Sequence, residues 1–413
     1  MMSVLNATAH AGSRLAANLS IALLCLIAAA VPVSAAPGDV VSIELEQTML
    51  PGSIDAFVAK LYAGYPAPKA SYTVDVYWVR FESTYPDGQP AVAQAQVFVP
   101  RYVSGRQTIR VLYAFGPGST GVIDSCRPSR EHVAGIRWGL YRAHVLSHVG
   151  QGVIGVIPDY LGFGDPDRDQ YYMVAAAEAA AMLDSIRATK ALLAEKKVSG
   201  VTGTRNFVAG FSQGGHAAFA AADYRESYAP EVELDGVIGY GPSTDLVALF
   251  KEFPSVAPMV LYTFRNLYGK DLVDPGLVLL PKYSVDLDDD ITRQCVGGMQ
   301  SYYPADLKQL FRPEFVKALL SDRLDEEYPA LYEVLRANSS GLGAHGVPAL
   351  ICQGTDDIVV YDDTQKAFAA ALEASGVDTK LEIYPGSRHD TRQVSFVDVQ
   401  KWMRAALVSK GAE

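Results

Sequence analysis

From residue 109 onward, short unbroken apolar runs alternate with stretches of helical periodicity, and few folds accommodate that rhythm. The runs are 109–115, 153–158, 206–210, 236–241, 349–352 and 380–384; the helical patterns are 140–149, 175–196, 216–224, 363–374 and 396–407. A strand without polar alternation is one covered on both faces, as in a parallel sheet flanked by helices. Ahead of them, residues 72–81 and 91–99 do alternate, and Tyr85-Pro86-Asp87-Gly88 between them is a turn signal. That pair is predicted as an antiparallel hairpin. The expectation is an α/β fold with a mixed, mostly parallel sheet opened by an N-terminal antiparallel hairpin.

Residues 243–345 break the rhythm. They hold no buried-strand pattern, only aromatic and proline-rich helical pieces at 246–253, 259–268, 304–311, 314–320 and 327–335. We read them as a helical cap inserted between two core strands, over the strand ends where open α/β sheets keep their ligand sites. An ordinary peripheral helical layer is the alternative. The core is then 36–242 with 346–413. The acidic run from Asp286 to Asp290 lacks the glycine and spacing of a calcium loop and is predicted as a solvated loop.

Residues 1–35 have the layout of a secretory signal peptide: Arg14, an apolar run over 19–33, and small residues at Val33 and Ala35 before a cleavage point. The run is too short to span a bilayer comfortably, and Cys25 lies inside it without the small residues that would precede a lipid anchor. The chain is therefore expected to be secreted or periplasmic, with no stable membrane insertion once the signal is removed. A net charge of −11 argues against nucleic acid and anionic membrane surfaces as partners. Past the signal, Cys126, Cys295 and Cys352 form an odd set, which in an exported protein suggests one bridge and one free thiol. Cys352 sits in a buried-strand pattern and is the expected free thiol. Cys126 and Cys295 lie in predicted loops and can pair, with three unpaired thiols as the alternative.

Gly210-Phe211-Ser212-Gln213-Gly214 joins the 206–210 run to a helix rich in small residues. A serine on so sharp a strand–helix turn needs small neighbours two residues away on either side, and the turn sets the Gln213 amide at a helix N-terminus, where it can bind an oxyanion. Serine needs an imidazole to activate it and a carboxylate to orient that imidazole. Downstream, Gln353-Gly354-Thr355-Asp356-Asp357 leaves the 349–352 run, and Asp357 is the candidate acid, with Asp356 beside it. His389, in the loop after 380–384, is the only histidine beyond Asp357. A second oxyanion amide is expected from the glycine-rich 116–121 loop, at Ser119 first and Gly118 second. His144 and His148 are four apart on a predicted helix, but no third ligand is evident, so they are read as structural. His132 and His345 lie elsewhere, and His216 is read as a packing or cap contact.

Together these segments resemble the secretory lipase family of α/β-hydrolases, which includes the cap-bearing yeast lipase A type enzymes and bacterial relatives. The resemblance is carried by Pro117-Gly118-Ser119-Thr120-Gly121 with Cys126-Arg127-Pro128-Ser129, similar to the family's His-Gly-Thr…Gly…Cys-Ala-Pro-Ser loop. It is also carried by Pro158-Asp159-Tyr160-Leu161-Gly162-Phe163-Gly164, by residues 210–216 and by Gly354-Thr355-Asp356-Asp357. It implies a Ser212–His389–Asp357 triad, a bridge from Cys126 to Cys295 in the cap, hydrolysis of small-molecule or lipid carboxylic esters, and no cofactor. Pro117 departs from the pattern, standing where the family has histidine. A serine peptidase of the same fold and a non-catalytic binding protein on a hydrolase scaffold are the competing readings.

Overall fold

The structure is a computed structural model that describes residues 36–102, 108–131 and 135–409. The expected signal segment, with Arg14, Cys25 and its cleavage site, and His132 lie outside the described residues. Nine strands form one sheet: β1 (Val40–Met49), β2 (Val74–Thr84), β3 (Pro90–Pro100), β4 (Thr108–Gly116), β5 (Ile154–Pro158), β6 (Val201–Phe211), β7 (Gly236–Tyr240), β8 (Ala349–Gly354) and β9 (Thr379–Tyr384). Their spatial order is β1-β2-β3-β5-β4-β6-β7-β8-β9. The first three pair antiparallel, β3 meets β5 antiparallel, and every pairing from β5 to β9 is parallel. The expected hairpin is β2–β3, closed at Tyr85, whose carbonyl accepts from the Gly88 amide at 2.9 Å.

The sheet is covered on both sides, which is why its central strands lack polar alternation. Successive residues of β4 serve opposite layers. Leu112 and Ala114 pack with helices Ala175–Glu195 and Gln213–Tyr228, whereas Tyr113 and Phe115 pack with helices Tyr141–Val149 and Phe396–Ser409. The first layer is lined by alanines (Ala177, Ala180, Ala217, Ala218, Ala221), so the two helices approach closely. Where a large side chain enters it, as Phe219 does against Phe368 with ring centroids 4.9 Å apart, burial contributes about 1.5–3 kcal/mol.

Several elements differ from the sequence reading, among them helix Pro51–Val58, β1 and the 286–290 stretch. β1 was not expected at all. Its pairing with β2 shifts register between Val40 and Ser42 and again between Leu45 and Gln47, and each irregularity resets which face a side chain meets. The Asp286–Asp290 stretch is not a solvated loop. It enters a short helix, Leu287–Thr292, whose Leu287 and Ile291 are buried one turn apart, and Asp290 is buried and ion-paired with Arg293.

Between β7 and β8 the chain makes helices, turns and one isolated antiparallel bridge, Leu279 with Phe311, forming the helical cap. Its longest pieces are Leu246–Glu252, Ala257–Tyr268, Pro313–Leu320 and Pro329–Ala337. Several start with Asp at the N-cap position, where Asp245, Asp274 and Asp306 accept backbone amides of the first turn. Proline in the first turn recurs, as at Pro258, Pro313 and Pro329.

Candidate active site

β6 runs directly into Ser212, which has φ 56° and ψ −116°, and helix Gln213–Tyr228 begins at the next residue. Such angles are strained for a residue with a side chain, by about 1–3 kcal/mol. A Cβ on Gly210 would fall 1.8 Å from the Gly214 carbonyl oxygen, and one on Gly214 would fall 1.8 Å from the Gly116 oxygen. Glycine is therefore the only residue that fits on either side of the serine, and the end of β4 is pressed against the elbow.

The loop that follows β4 is held from three sides. Tyr160 donates its hydroxyl to the Pro117 carbonyl at 2.6 Å, the Ser119 hydroxyl lies 2.7 Å from that of Tyr172, and the Val296 amide donates to the Thr120 carbonyl at 2.8 Å. Beside it, Cys126 and Cys295 form a disulfide with Cα atoms 5.5 Å apart, joining this loop to the cap. Cys352 is the free thiol; burial pushes its pKa up to about 12, which leaves it chemically quiet.

The loop after β8 turns Asp357 inward and Asp356 outward. Asp357 is buried; its Oδ1 accepts the Val359 and Val360 amides at 2.7 and 3.0 Å, and its Oδ2 accepts from Gln353 Nε2 at 3.2 Å. Oδ2 also lies 2.8 Å from His389 Nδ1, so that ring nitrogen carries the hydrogen. Asp356 is exposed and accepts only from the Thr355 hydroxyl. The His389 ring packs on Phe211, centroids 4.9 Å apart. Behind it, Asp390 and the fully buried Arg392 form a two-pronged pair at 2.8 and 2.6 Å, and Arg392 also donates to the Gly139 carbonyl at 2.6 Å. Burial pushes Asp390 upward, but the Arg392 charge and its hydrogen bonds prevail and hold the carboxyl below its ordinary value.

Ser119, Ser212, Gln213 and His389 line one cavity of about 380 Å³, together with Phe211, Leu249, Phe253, Val256, Val296 and Ile358. Apolar walls around a few convergent polar groups are the usual make-up of a small-molecule site. His389 Nε2 is buried and has no hydrogen-bond partner among the described residues, Ser212 included. Asp357 and His389 are thus joined by a hydrogen bond, and Ser212 shares the cavity with His389 without one. Serine–imidazole bonds often tighten only when substrate is bound.

One layer behind lies His216, read from sequence as a packing or cap contact: its Nε2 is 2.5 Å from the Asn338 carbonyl in the cap, and its Nδ1 is 2.6 Å from Glu178 Oε2, a partner that sequence reasoning passed over. The signal for Glu178 was a lone acid within Ala175-Ala176-Ala177-Glu178-Ala179-Ala180-Ala181. Asp390 and Arg392 gave no such signal, because charged residues beside a loop histidine are ordinary on a surface. His144 and His148 are fully buried, hydrogen-bonded to the Tyr113 hydroxyl at 2.9 Å and to Gln400 at 2.7 Å respectively. Among the described residues, no group of three or more His, Cys, Asp or Glu side chains is arranged to hold a metal ion. No single described helix is long and apolar enough to cross a membrane; the pair Leu246–Glu252 and Pro254–Tyr268 passes on composition but is bent by 115°.

A mostly parallel sheet, a serine elbow after one strand, acid and histidine loops after two later strands and a helical cap between define the α/β-hydrolase fold. Within that class, the family model described as secretory lipase matches residues 130–270, the segment that carries the elbow. A search of curated proteins finds no match. Among solved structures, the rice cell wall degrading esterase LipA from Xanthomonas oryzae superposes with a TM-score of 0.70 at 19% identity, covering 91% of this chain and 98% of that one. A putative hydrolase from Legionella pneumophila gives 0.68 at 17% identity, covering 87% and 95%. Candida antarctica lipase A gives 0.61 at 16% identity, covering 86% and 78%. At these identities the likeness is one of fold.

Proposed function

We propose that this chain is an exported serine hydrolase that cleaves carboxylic esters, in the lipase and esterase class, through Ser212, His389 and Asp357. The observation that carries the reading is the Asp357–His389 hydrogen bond, which leaves an unpartnered Nε2 beside the cavity into which the Ser212 elbow is set. In the first half-reaction, Ser212 Oγ attacks the ester carbonyl carbon and passes its proton to His389 Nε2. Asp357 holds the tautomer and stabilises the imidazolium as it forms. The backbone amides of Gln213 and Ser119 take the oxyanion, and the tetrahedral intermediate collapses to an acyl-enzyme as His389 protonates the departing alcohol. Water, activated by the same imidazole, then releases the acid. No step calls for a cofactor.

The apolar cavity wall from the cap, with Leu249, Phe253 and Val256, suits an acyl chain. Residues 243–345 would then serve as the substrate-shaping unit over a catalytic core made of 36–242 and 346–413. Export is supported by the signal-like layout of residues 1–35 and by the Cys126–Cys295 disulfide, which persists in oxidising compartments. Names of fold relatives, a cell wall degrading esterase and a lipase, agree in reaction type. The test is Ser212→Ala: hydrolysis of p-nitrophenyl esters should vanish while circular dichroism stays unchanged, and substantial residual turnover would sink the assignment. Matched ester and amide substrates separate this reading from a peptidase of the same fold.

A further inference from the structure

We propose that the buried Glu178–His216 pair is a positioning device: it fixes the oxyanion-binding residue Gln213 and ties it to the seat of the cap. The inference rests on the reading of Ser212 as nucleophile.

Glu178 and His216 are both fully buried, directly behind the elbow. Glu178 Oε1 accepts from Gln213 Nε2 at 2.7 Å and from the Met173 amide at 3.0 Å, while Oε2 faces His216 Nδ1. The amide oxygen of Gln213 has no partner, so Glu178 is the one polar anchor of that side chain among the described residues. On the other side of the ring stands the Asn338 carbonyl, which can only accept, so Nε2 must donate. With a carboxylate at one nitrogen and a carbonyl at the other, both ring nitrogens face acceptors, an arrangement that favours the protonated ring. Burial opposes that charge, but the Glu178 carboxylate and the two hydrogen bonds outweigh it and raise the His216 pKa.

A buried ion pair is a weak way to gain stability, since desolvation cancels much of the attraction and an apolar pair of like volume often does as well. The surrounding helix faces are alanine and would pack without it. What the pair supplies is geometry. It grips residues 213 and 216 in the first turn of the elbow helix, adding a side-chain anchor to a peptide plane whose Ser212 carbonyl already accepts three backbone amides, and so steadies the Gln213 peptide N–H. It also sets the His216 Nε2–H on the carbonyl of Asn338, the C-cap residue of the cap helix Pro329–Ala337, a favourable match to that helix end. Asn338 extends the grip further: its side-chain amide donates to the Tyr268 hydroxyl at 2.8 Å, and its side-chain oxygen accepts the Ala175 amide at 3.2 Å. Ser340 donates to the His216 carbonyl at 3.0 Å. Cap and oxyanion residue therefore share one anchor.

Two variants test this. Glu178→Gln removes the charge at nearly constant volume, and Gln213→Met releases the tether while leaving the Glu178–His216 pair and every backbone amide in place. For each, kcat and KM on a p-nitrophenyl ester are measured with the inhibition constant of an alkyl boronic acid, which forms a tetrahedral adduct on serine. Because the defect lies in oxyanion alignment, kcat should fall by about 10–100-fold, KM should move by less than about threefold, and boronate binding should weaken in step with kcat. A variant that merely loses melting temperature and keeps kcat and boronate affinity within about twofold of wild type overturns the inference. Gln213→Met decides alone if Glu178→Gln fails to fold. Wild-type protein that neither hydrolyses the ester nor reacts with a fluorophosphonate overturns the nucleophile reading and this inference together; wild-type turnover matched by the variants overturns the inference only.

Discussion

Ser212 keeps its strained angles because hydrogen bonds over-determine its position. Its amide donates to the Tyr240 carbonyl at 3.0 Å, and its own carbonyl accepts from Gly215, His216 and Ser243 at 2.9, 3.2 and 3.2 Å. A residue so fixed can present its hydroxyl without reorganising during reaction. At residue scale, sequence put Asp357 ahead of Asp356 without excluding the neighbour, and the structure turns Asp357 toward His389. The two are adjacent on one loop, so spacing is the same for both, and only the direction of the backbone makes one buried and the other exposed. Their substitutions should differ accordingly. Asp357→Asn keeps shape but offers an N–H to the His389 Nδ1–H, favouring the wrong tautomer, and kcat should fall on the order of 10³–10⁴-fold. Asp356→Asn should stay within about twofold of wild type, as exposed polar substitutions do. Steady-state kinetics on both variants checks the pair, and equal losses would contradict the assigned geometry.

The elements that sequence made legible are those whose burial is uniform. β4 to β9 and the helices between them follow from unbroken apolar runs and helical periodicity, and the elbow follows from glycines that close packing requires. β1 was hidden because its two register shifts interrupt the twofold alternation by which a half-buried strand is recognised. The helix at Leu287–Thr292 was hidden by composition: three successive acids suggest solvent, yet Asp290 turns inward beside the buried Ile291. The cap was legible as an interval and illegible as a surface, because which of its aromatic and aliphatic side chains face the cavity depends on packing between short helices. One cap contact is covalent. The Cys126–Cys295 bridge spans 169 residues of sequence, so opening it should cost about 2–5 kcal/mol of stability. Thermal melts with and without reductant, and of Cys295→Ser, should show the same downward shift, since Cys352 is buried and forms no bond to be reduced. No shift in either case would show that the bridge carries no stability.

For the molecule as a whole, acid is the vulnerable direction of the His144–His148 cluster. Burial pulls His148 from its ordinary 6.5 down to about 3, and burial together with the neighbouring His148 and Arg392 charges holds His144 well below 6.5. Above pH 6.5 both histidines are neutral folded or unfolded and contribute nothing. As pH falls below 6.5 the unfolded chain takes up protons that the native state refuses, and stability is lost until the folded values are reached. For His148 alone that loss is about 2 kcal/mol between pH 7 and pH 5. Asp159 acts in the opposite sense: burial raises its carboxyl to about 6, so its penalty on the native state eases over the same range. The two are separated by comparing urea unfolding of wild type and His148→Gln at pH 7 and pH 5. The variant should lose about 2 kcal/mol less than wild type on acidification, and parallel losses would contradict a neutral buried ring. The topology of the sheet has a different kind of consequence. β7 and β8 pair directly, from Val237 with Ala349 to Tyr240 with Cys352, although the entire cap is threaded between them. The seam closes whatever the length of that excursion, so the cap can be lengthened, shortened or exchanged while Ser212, Asp357 and His389 stay in register. An engineer grafting a foreign cap inherits the same freedom, with attachment points that include a cysteine to meet Cys126 and a carbonyl to receive the His216 ring.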